Sequence, residues 1–122
     1  MGEPIKTFRD LIAWQKGFHL TRSVYIYSKR LPREEIFGLT SQMRRAASSV
    51  PLNVAEGYGL GTRDQFLRHL RQARASCMEV DTAVQLASSI YELPPDDPLL
   101  ALISETDRVV QGLIRSLEDK KD

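Results

Sequence analysis

The sequence has little of what disulfide bonds, metal centres and cofactor sites require. Its 122 residues include one cysteine, Cys77, and two histidines, His19 and His69. A lone cysteine excludes a disulfide within the chain and is typical of a reducing compartment, so we expect a cytoplasmic protein. Neither histidine has a cysteine or a carboxylate at metal-ligand spacing, and we therefore expect no metal ion and no cofactor.

Signatures of enzymes and membrane proteins are also missing. No uncharged stretch approaches the roughly 18 residues that a membrane span needs. The chain contains no nucleophile elbow, no H-E-x-x-H motif and no Walker pattern. The run Gly57-x-Gly59-x-Gly61 follows a predicted helix rather than a strand, which indicates a turn and not a phosphate-binding loop. These absences favour a protein that is not an enzyme and does not contact a membrane.

What the sequence does contain is a helical repeat of apolar residues along its whole length. An ordinary composition, 42% hydrophobic and 27% charged, predicts a single domain over residues 1–122. Apolar residues recur at alternating spacings of three and four, which predicts four helices and no strand. We expect these helices at about 11–29, 40–57, 62–90 and 98–118.

The predicted helices carry apolar seams and capping residues. The seams are Ala13, Gly17, Leu20, Val24, Tyr27 and Leu31, widened by Phe18 and Tyr25, in helix 1; Phe66, Leu70, Ala73, Cys77, Val80, Val84 and Ala87 in helix 3; and Leu99, Ile103, Thr106, Val110, Leu113 and Leu117 in helix 4. The expected N-caps are Asp10, Thr40 or Ser41, Thr62 with its partner Gln65, and Asp97 ahead of Pro98. Short connections between long amphipathic helices favour an all-α, antiparallel, up-down-up-down four-helix bundle.

Helix 2 has a proline in its middle. Pro51 has no backbone donor and frees the carbonyl of Ala47, so we expect this helix to be bent at Pro51. Ser48, Ser49 and Asn53 are close enough to satisfy the freed backbone groups. The bend either fits the helix into the bundle or serves a ligand site.

Helix 2 also carries a polar stripe beside its apolar one. The apolar arc consists of Met43, Ala46, Ala47, Val50, Val54 and Gly57, and the polar arc of Gln42, Arg45, Ser49, Asn53 and Glu56. The polar arc is a solvated face, a buried network or a subunit interface, and we favour a structural network or an interface. We expect Arg45, Asn53 and Glu56 to be largely buried and bonded to other helices or other chains, because Arg45 and Glu56 lie too far apart on one helix to pair.

Charge is distributed unevenly along the chain. Residues 1–39 carry a net charge of +3, residues 40–75 carry +4 and residues 76–122 carry −6. This split indicates either a basic binding face or electrostatic pairing between segments of the bundle. Arg68, Arg71 and Arg74 on helix 3 are the candidate nucleic-acid-binding residues, since guanidinium groups suit phosphate. No aromatic residue is interleaved with them, which argues against stacking on a single strand.

Three segments resemble a known family, the four-helix bundle proteins named for the intervening sequences of bacterial 23S ribosomal RNA genes. The opening run from Phe8 to Lys16 is similar to the start of that family. The run from Leu39 to Gly57 is similar to its central signature, and Phe66 to Glu79 to its third helix. The resemblance covers nearly the whole chain, although Gly17 stands where the family often has alanine and Arg74 lies in a stretch that is usually less basic.

The resemblance implies an antiparallel four-helix bundle that assembles as a homopentamer and has no enzyme activity. A related bundle, the accessory protein of diversity-generating retroelements, is a basic pentamer that associates with a reverse transcriptase and nucleic acid. One hypothesis is therefore a non-enzymatic homo-oligomer that binds RNA or a nucleic-acid enzyme through basic surfaces. The alternative is a protein-interaction scaffold with no nucleic-acid role.

Overall fold

A computed structural model describes residues 4–120, and in that range the chain forms four α-helices and no strand. These are α1 (Ile12–Ser28), α2 (Leu39–Leu60), α3 (Arg63–Tyr91) and α4 (Asp97–Asp119), with single 3₁₀ turns at Phe8–Asp10 and Arg33–Glu35. Each helix packs against its two neighbours around the bundle, and neither diagonal pair is in contact. The predicted all-α four-helix bundle is confirmed.

Contacts between helix ends establish the antiparallel order. Arg44, near the start of α2, donates to the hydroxyl of Ser28 at the end of α1. Arg63, at the start of α3, donates to the carbonyl of Lys120 beyond the end of α4. Because each pair joins the start of one helix to the end of its neighbour, the bundle runs up-down-up-down. No helix within residues 4–120 combines the length and apolar character needed to cross a bilayer.

The apolar seams form two core clusters, one at each half of the bundle. All six seam residues predicted for α1 are buried. In α3, Leu67 is buried in place of Phe66, and in α4, Ile114 is buried while Leu113 and Leu117 are half-exposed. On a straight α-helix, positions seven residues apart are offset by about 20° around the helix axis. Over a long seam the buried position therefore shifts to a neighbouring residue.

Two predicted N-caps lie elsewhere. Asp10 completes a capping box with Thr7 on the short 3₁₀ turn, and α1 begins at Ile12, where the N-cap residue Leu11 provides no side-chain cap. In α2 the first backbone N–H, that of Leu39, donates to the Glu35 carboxylate at 2.9 Å. Thr40 is buried instead of capping, because the carboxylate from the preceding turn already satisfies this donor.

The other two caps are close to their predicted positions. Thr62 caps α3 as predicted by accepting from the backbone N–H of Gln65. The reciprocal half of the predicted capping box is replaced by a bond from the Thr62 hydroxyl to the Gln65 side-chain oxygen. Asp96, not Asp97, caps α4 by accepting from the N–H of Leu99 at 3.1 Å. Both aspartates are suitable N-caps. Asp96 is the cap because its carboxylate accepts from the backbone N–H three residues further along the chain.

Helix α2 does not end at Gly57 as predicted but continues through the expected turn to Leu60. Gly61 then adopts a left-handed conformation with φ of 87° and ends the helix. A Cβ atom added at Gly57 would lie 2.7 Å from the Cβ of His69 on α3. Gly57 is therefore a point of close contact between α2 and α3 rather than a helix terminator.

Pro51 lies inside an unbroken α2, where it packs against α1. The Thr21 hydroxyl of α1 lies 3.0 Å from the Ala47 carbonyl and 2.8 Å from the Gly17 carbonyl of its own helix, so its single proton is shared between the two. The predicted donors act elsewhere, because Ser48 donates to its own helix and Asn53 donates to Ser49. The proline does not divide the helix, and its freed carbonyl is satisfied by the neighbouring helix.

Gly17 explains how α1 approaches so closely. A Cβ atom added there would lie 3.0 Å from Pro51 Cδ and 3.0 Å from Val50 Cγ1. Thr21 lies one turn further along α1, which brings its hydroxyl to the freed carbonyl. The residue triplet Gly17, Thr21 and Pro51 thus sets the α1–α2 crossing.

Candidate interaction surfaces

The inner half of the polar arc on α2 forms a hydrogen-bonded network with α3. Ser76, only 3% exposed, donates to the hydroxyl oxygen of Ser49 at 2.8 Å. The Asn53 amide nitrogen donates to the same oxygen at 2.9 Å, and His69 Nδ1 lies 2.9 Å from the Asn53 amide oxygen. This network fastens α2 to α3 along two helical turns.

The hydrogen bonds of Asn53 indicate which ring nitrogen of His69 carries a proton. Asn53 uses its amide nitrogen as the donor to Ser49, so its amide oxygen faces His69 and can only accept. The Nδ1 atom of His69 must therefore carry a proton. His69 and Ser76 were not among the predicted site residues. A signal was present in the sequence, because the two lie one heptad apart and directly precede the seam residues Leu70 and Cys77.

The outer half of the polar arc has no side-chain partner among residues 4–120. Gln42, Arg45 and Glu56 are exposed, and among residues 4–120 neither Arg45 nor Glu56 takes part in an ion pair. Gln42 and Arg45 line an open polar groove of about 550 Å³ between α2 and α3. Arg45 and Glu56 were expected to be buried, and both are exposed in the single chain. Their burial stays a prediction about contact with a second chain.

The three candidate phosphate-binding arginines do not form one free basic patch. Arg71 donates to Glu118 at 2.6 Å, and Arg74 lies 3.3 Å from Asp107, both on α4. Asp107 also accepts from Gln111, which holds its carboxylate in place. These two ion pairs cancel positive charge at the surface, so part of the basic stretch pairs with the acidic end of the chain.

Arg68 is the exception. Its side chain is exposed, and no carboxylate within residues 4–120 pairs with it. Further along the same side of the molecule, Arg71, Arg74 and Arg115 line a groove of about 590 Å³ between α3 and α4 that also contains Glu118. This face is mixed in charge rather than uniformly basic.

An open apolar groove lined by aromatic side chains lies between α1 and α2. Phe8 meets Trp14 edge to face and Trp14 meets Phe18 at a tilt, with ring centres 5.5 and 5.2 Å apart. The groove holds about 760 Å³, and its most exposed apolar members, between 45% and 64% accessible, are Phe18, Tyr25, Ile26 and Leu52. We call this surface, with Phe8, Trp14 and Pro51 at its floor, the α1–α2 aromatic groove.

Two aromatic residues of this groove stood out in the sequence, but they were assigned to the core. Phe18 and Tyr25 lie one heptad apart and were expected to widen the buried seam of helix 1, but both face solvent. The rim of the groove is basic. Arg22 lines it, while the Arg9 and Arg44 guanidinium groups lie 4.6 Å from the ring centres of Phe8 and Tyr25. Such cation–π contacts hold positive charge beside apolar surface.

Neither a metal-ligand cluster nor a reactive thiol occurs among the described residues. No group of three His, Cys, Asp or Glu side chains within residues 4–120 converges on a metal position. Burial raises the pKa of the Cys77 thiol to about 12, so the thiol stays protonated and is a poor nucleophile. The exposed grooves, rather than any buried centre, are therefore the candidate functional sites.

Comparison with known proteins identifies one family. A family model described as "23S rRNA-intervening sequence protein" matches residues 9–115. This range includes all of α1, α2 and α3 and most of α4. No curated protein matches the chain.

Proposed function

The chain belongs to the 23S rRNA-intervening sequence protein family, and we propose that it is a non-enzymatic scaffold that assembles with copies of itself. The assembly is a homopentamer, as the family resemblance implies, and is cytoplasmic, because one cysteine leaves no pair for a disulfide. Its function is to present a repeated surface to other macromolecules.

The observation that carries this proposal is the α1–α2 aromatic groove. Soluble monomers rarely expose a contiguous apolar patch of more than a few hundred Å², and larger patches with polar rims mark interaction sites. Here four large apolar side chains and an aromatic floor lie open to solvent beside basic residues. Covering this groove with a second chain would remove that apolar area from water.

The remaining polar arc supports the same proposal. Arg45 and Glu56 are exposed charges on the helix that also forms one wall of the groove. Charged side chains around an apolar centre give an interface its specificity more than its affinity. The Ser49–Asn53–His69–Ser76 network keeps α2 rigid behind them.

The test is the mass of the protein in solution, measured by light scattering during size-exclusion chromatography. We expect a species near 70 kDa, about five times the 13.9 kDa chain mass, at micromolar concentration. The variant Leu52→Glu should lose this species and keep its helical circular dichroism, because Leu52 is exposed in the single chain. Ile12→Glu is the matched control, since Ile12 is 61% exposed against 64% for Leu52 but lies outside the groove. A wild-type mass of one chain would overturn the proposal.

Binding of RNA, or of an enzyme that acts on nucleic acid, is the second candidate. It is supported by the unpaired, exposed Arg68 and by the arginines that line the α3–α4 groove. The resemblance to the accessory protein of diversity-generating retroelements is an analogy that points the same way. It ranks second because acidic residues of α4 already engage Arg71 and Arg74.

A further inference from the structure

We propose that the copies assemble head to tail, so that the α1–α2 aromatic groove of one chain receives the outer face of α3 from the next chain. This inference rests on the self-assembly proposed above and names the two surfaces that meet. It is distinct from a symmetric contact in which two grooves face each other.

The outer face of α3 carries a second exposed apolar stripe. Met78, Leu86 and Ile90 are between 46% and 58% exposed, and Thr82 lies between them on the same face. Spacings of four between 78, 82, 86 and 90 keep these positions on the side opposite the buried seam of α3. We call these four positions the α3 outer stripe. Its shape is a single ridge, whereas the α1–α2 surface is a groove between two helices.

The charges around the two surfaces are complementary. Residues 76–92, which contain the α3 outer stripe, include Glu79, Asp81 and Glu92 and no lysine or arginine. Arg22 lines the α1–α2 aromatic groove, Arg9 and Arg44 lie over the rings of Phe8 and Tyr25, and no carboxylate of residues 4–120 lines it. A ridge flanked by carboxylates therefore meets a groove edged by guanidinium groups.

The same charges oppose the symmetric alternative. Two grooves placed face to face would bring Arg22 and its basic neighbours together, and two ridges would bring Glu79 and Asp81 together. Like charges opposed across an interface cost free energy and suppress that pairing. The favourable pairing joins two different surfaces, which makes the interface heterologous.

One chain can use both surfaces at once. The groove lies between α1 and α2, whereas α3 makes no contact with α1 and turns its outer face away from the core. Each copy can thus receive one neighbour and dock onto another. A heterologous interface closes into a ring when the rotation between copies allows it, which is the form a homopentamer needs.

Two variants test this pairing, each with one damaged surface. Leu52→Glu places a carboxylate in the groove, facing the acidic flank of an incoming ridge. Leu86→Arg places a guanidinium on the ridge, facing the basic rim. We expect each variant alone to lose the oligomer and to keep the wild-type circular dichroism spectrum, since both side chains are exposed in the single chain.

The decisive measurement is the mass of an equimolar mixture of the two variants. The intact ridge of Leu52→Glu still fits the intact groove of Leu86→Arg, so the mixture should form a one-to-one pair with twice the mass of one chain. The two free surfaces of that pair carry an introduced carboxylate and an introduced guanidinium, which attract each other, so growth beyond the pair also supports the arrangement. Ile12→Glu mixed with either variant serves as the control for non-specific association.

Other results would overturn the inference without touching the scaffold proposal. If Leu86→Arg assembles like the wild type while Leu52→Glu does not, the grooves pair with each other or with another surface. If both variants are monomeric and their mixture stays monomeric, the two surfaces do not meet. A monomeric wild type, in contrast, would overturn both the scaffold proposal and the head-to-tail arrangement.

Discussion

One residue of the core, Tyr27, carries a buried polar group that lowers the stability of the bundle. Tyr27 is buried at the α1–α4 side with its ring packed in the core, and its hydroxyl has no hydrogen-bond partner among the described residues. Burial also raises the pKa of this phenol, which disfavours the charged form. A buried hydroxyl without a partner costs free energy that its aromatic ring must offset.

Tyr27→Phe should therefore stabilise the protein or leave it unchanged. The substitution keeps the ring and removes the unsatisfied hydroxyl, and the expected gain in the free energy of unfolding is up to roughly 1 kcal/mol. Urea denaturation measures it. The matched control is Tyr91→Phe, which removes a phenol that does have a partner, Glu35, and which should destabilise. A clear loss of stability in Tyr27→Phe would mean that its hydroxyl is bonded in solution.

Glu35 is a residue that connects two elements. Its carboxylate accepts from the hydroxyl of Tyr91 at the end of α3 and from the backbone N–H of Leu39 at the start of α2. The hydrogen bond from Tyr91, followed by that from Leu39, lowers the pKa of Glu35 below its usual 4.5. The same carboxylate raises the pKa of Tyr91 to about 12.

The sign of the pH dependence follows from the direction of each shift. A carboxyl group whose pKa is lower in the folded state adds stability above the unfolded pKa, near 4.5, and loses it as pH falls through the folded value. A phenol whose pKa is higher in the folded state loses its contribution as pH rises from about 10 towards 12. The pairing is therefore expected to stabilise between these limits.

Glu35→Gln should reduce the melting temperature at neutral pH and leave it nearly unchanged in acid. Glutamine can still accept one hydrogen bond but carries no charge, so the difference from wild type should disappear as Glu35 becomes protonated. Thermal melts followed by circular dichroism over the acidic range give the comparison. Glu34→Gln is the control, because Glu34 is exposed on the same turn. A difference that persists unchanged in acid would contradict the assignment.

The helices themselves show how far sequence reasoning reaches. Their number, type and order followed from the spacing of apolar residues, and their ends lie within about three residues of the predicted bounds. The polar partners did not follow. Thr21 satisfies the Ala47 carbonyl and Glu118 pairs with Arg71, and each partner comes from another helix. Such pairs depend on the rotation and axial position of two packed helices, which the periodicity of either helix alone does not specify.

The α1–α2 crossing gives a direct test of one such pair. Thr21→Val should cost roughly 1–2 kcal/mol, because it leaves the freed Ala47 carbonyl without a donor. Thr21→Ser keeps the hydroxyl and should cost less. In a Pro51→Ala background the backbone N–H of residue 51 can bond Ala47 within the helix, so Thr21→Val should cost much less there. The double-mutant cycle measures this coupling, and equal costs in both backgrounds would show that the hydroxyl does not serve that carbonyl.

At the scale of the whole molecule, the uneven charge of the sequence acts in two places. Within one chain, acids of α4 pair with Arg71 and Arg74, which explains why three predicted phosphate-binding residues do not form a free patch. The acidic second half of α3 and the arginines beside the α1–α2 aromatic groove remain exposed, and the proposed head-to-tail contact would pair them. The charge split was visible in the sequence, but which part pairs within the chain required the fold.

We expect RNA binding to be weak for each chain and to be strengthened by repetition in the proposed oligomer. Contacts from Arg68 and its neighbours would reach phosphates without reading bases, so binding should tolerate changes of sequence. It should also weaken with salt by a log–log slope of about −0.7 per phosphate neutralised on a single strand. Repetition of one patch around an oligomer would raise the overall affinity by multivalency.

Three variants separate this activity from the scaffold role by fluorescence anisotropy at two salt concentrations. Arg68→Glu should weaken binding and flatten its salt dependence, while Arg33→Glu, an exposed arginine on the loop before α2, should change neither. Glu118→Gln removes the acid that pairs with Arg71, so it should strengthen binding by freeing that guanidinium for phosphate. All three side chains lie at the surface, and size-exclusion chromatography checks that the oligomer persists. If assembled wild type shows no binding at low salt, or if Glu118→Gln and Arg68→Glu both leave the affinity unchanged, the protein is a scaffold without a nucleic-acid role, and Arg71 and Arg74 then serve to pair α3 with α4.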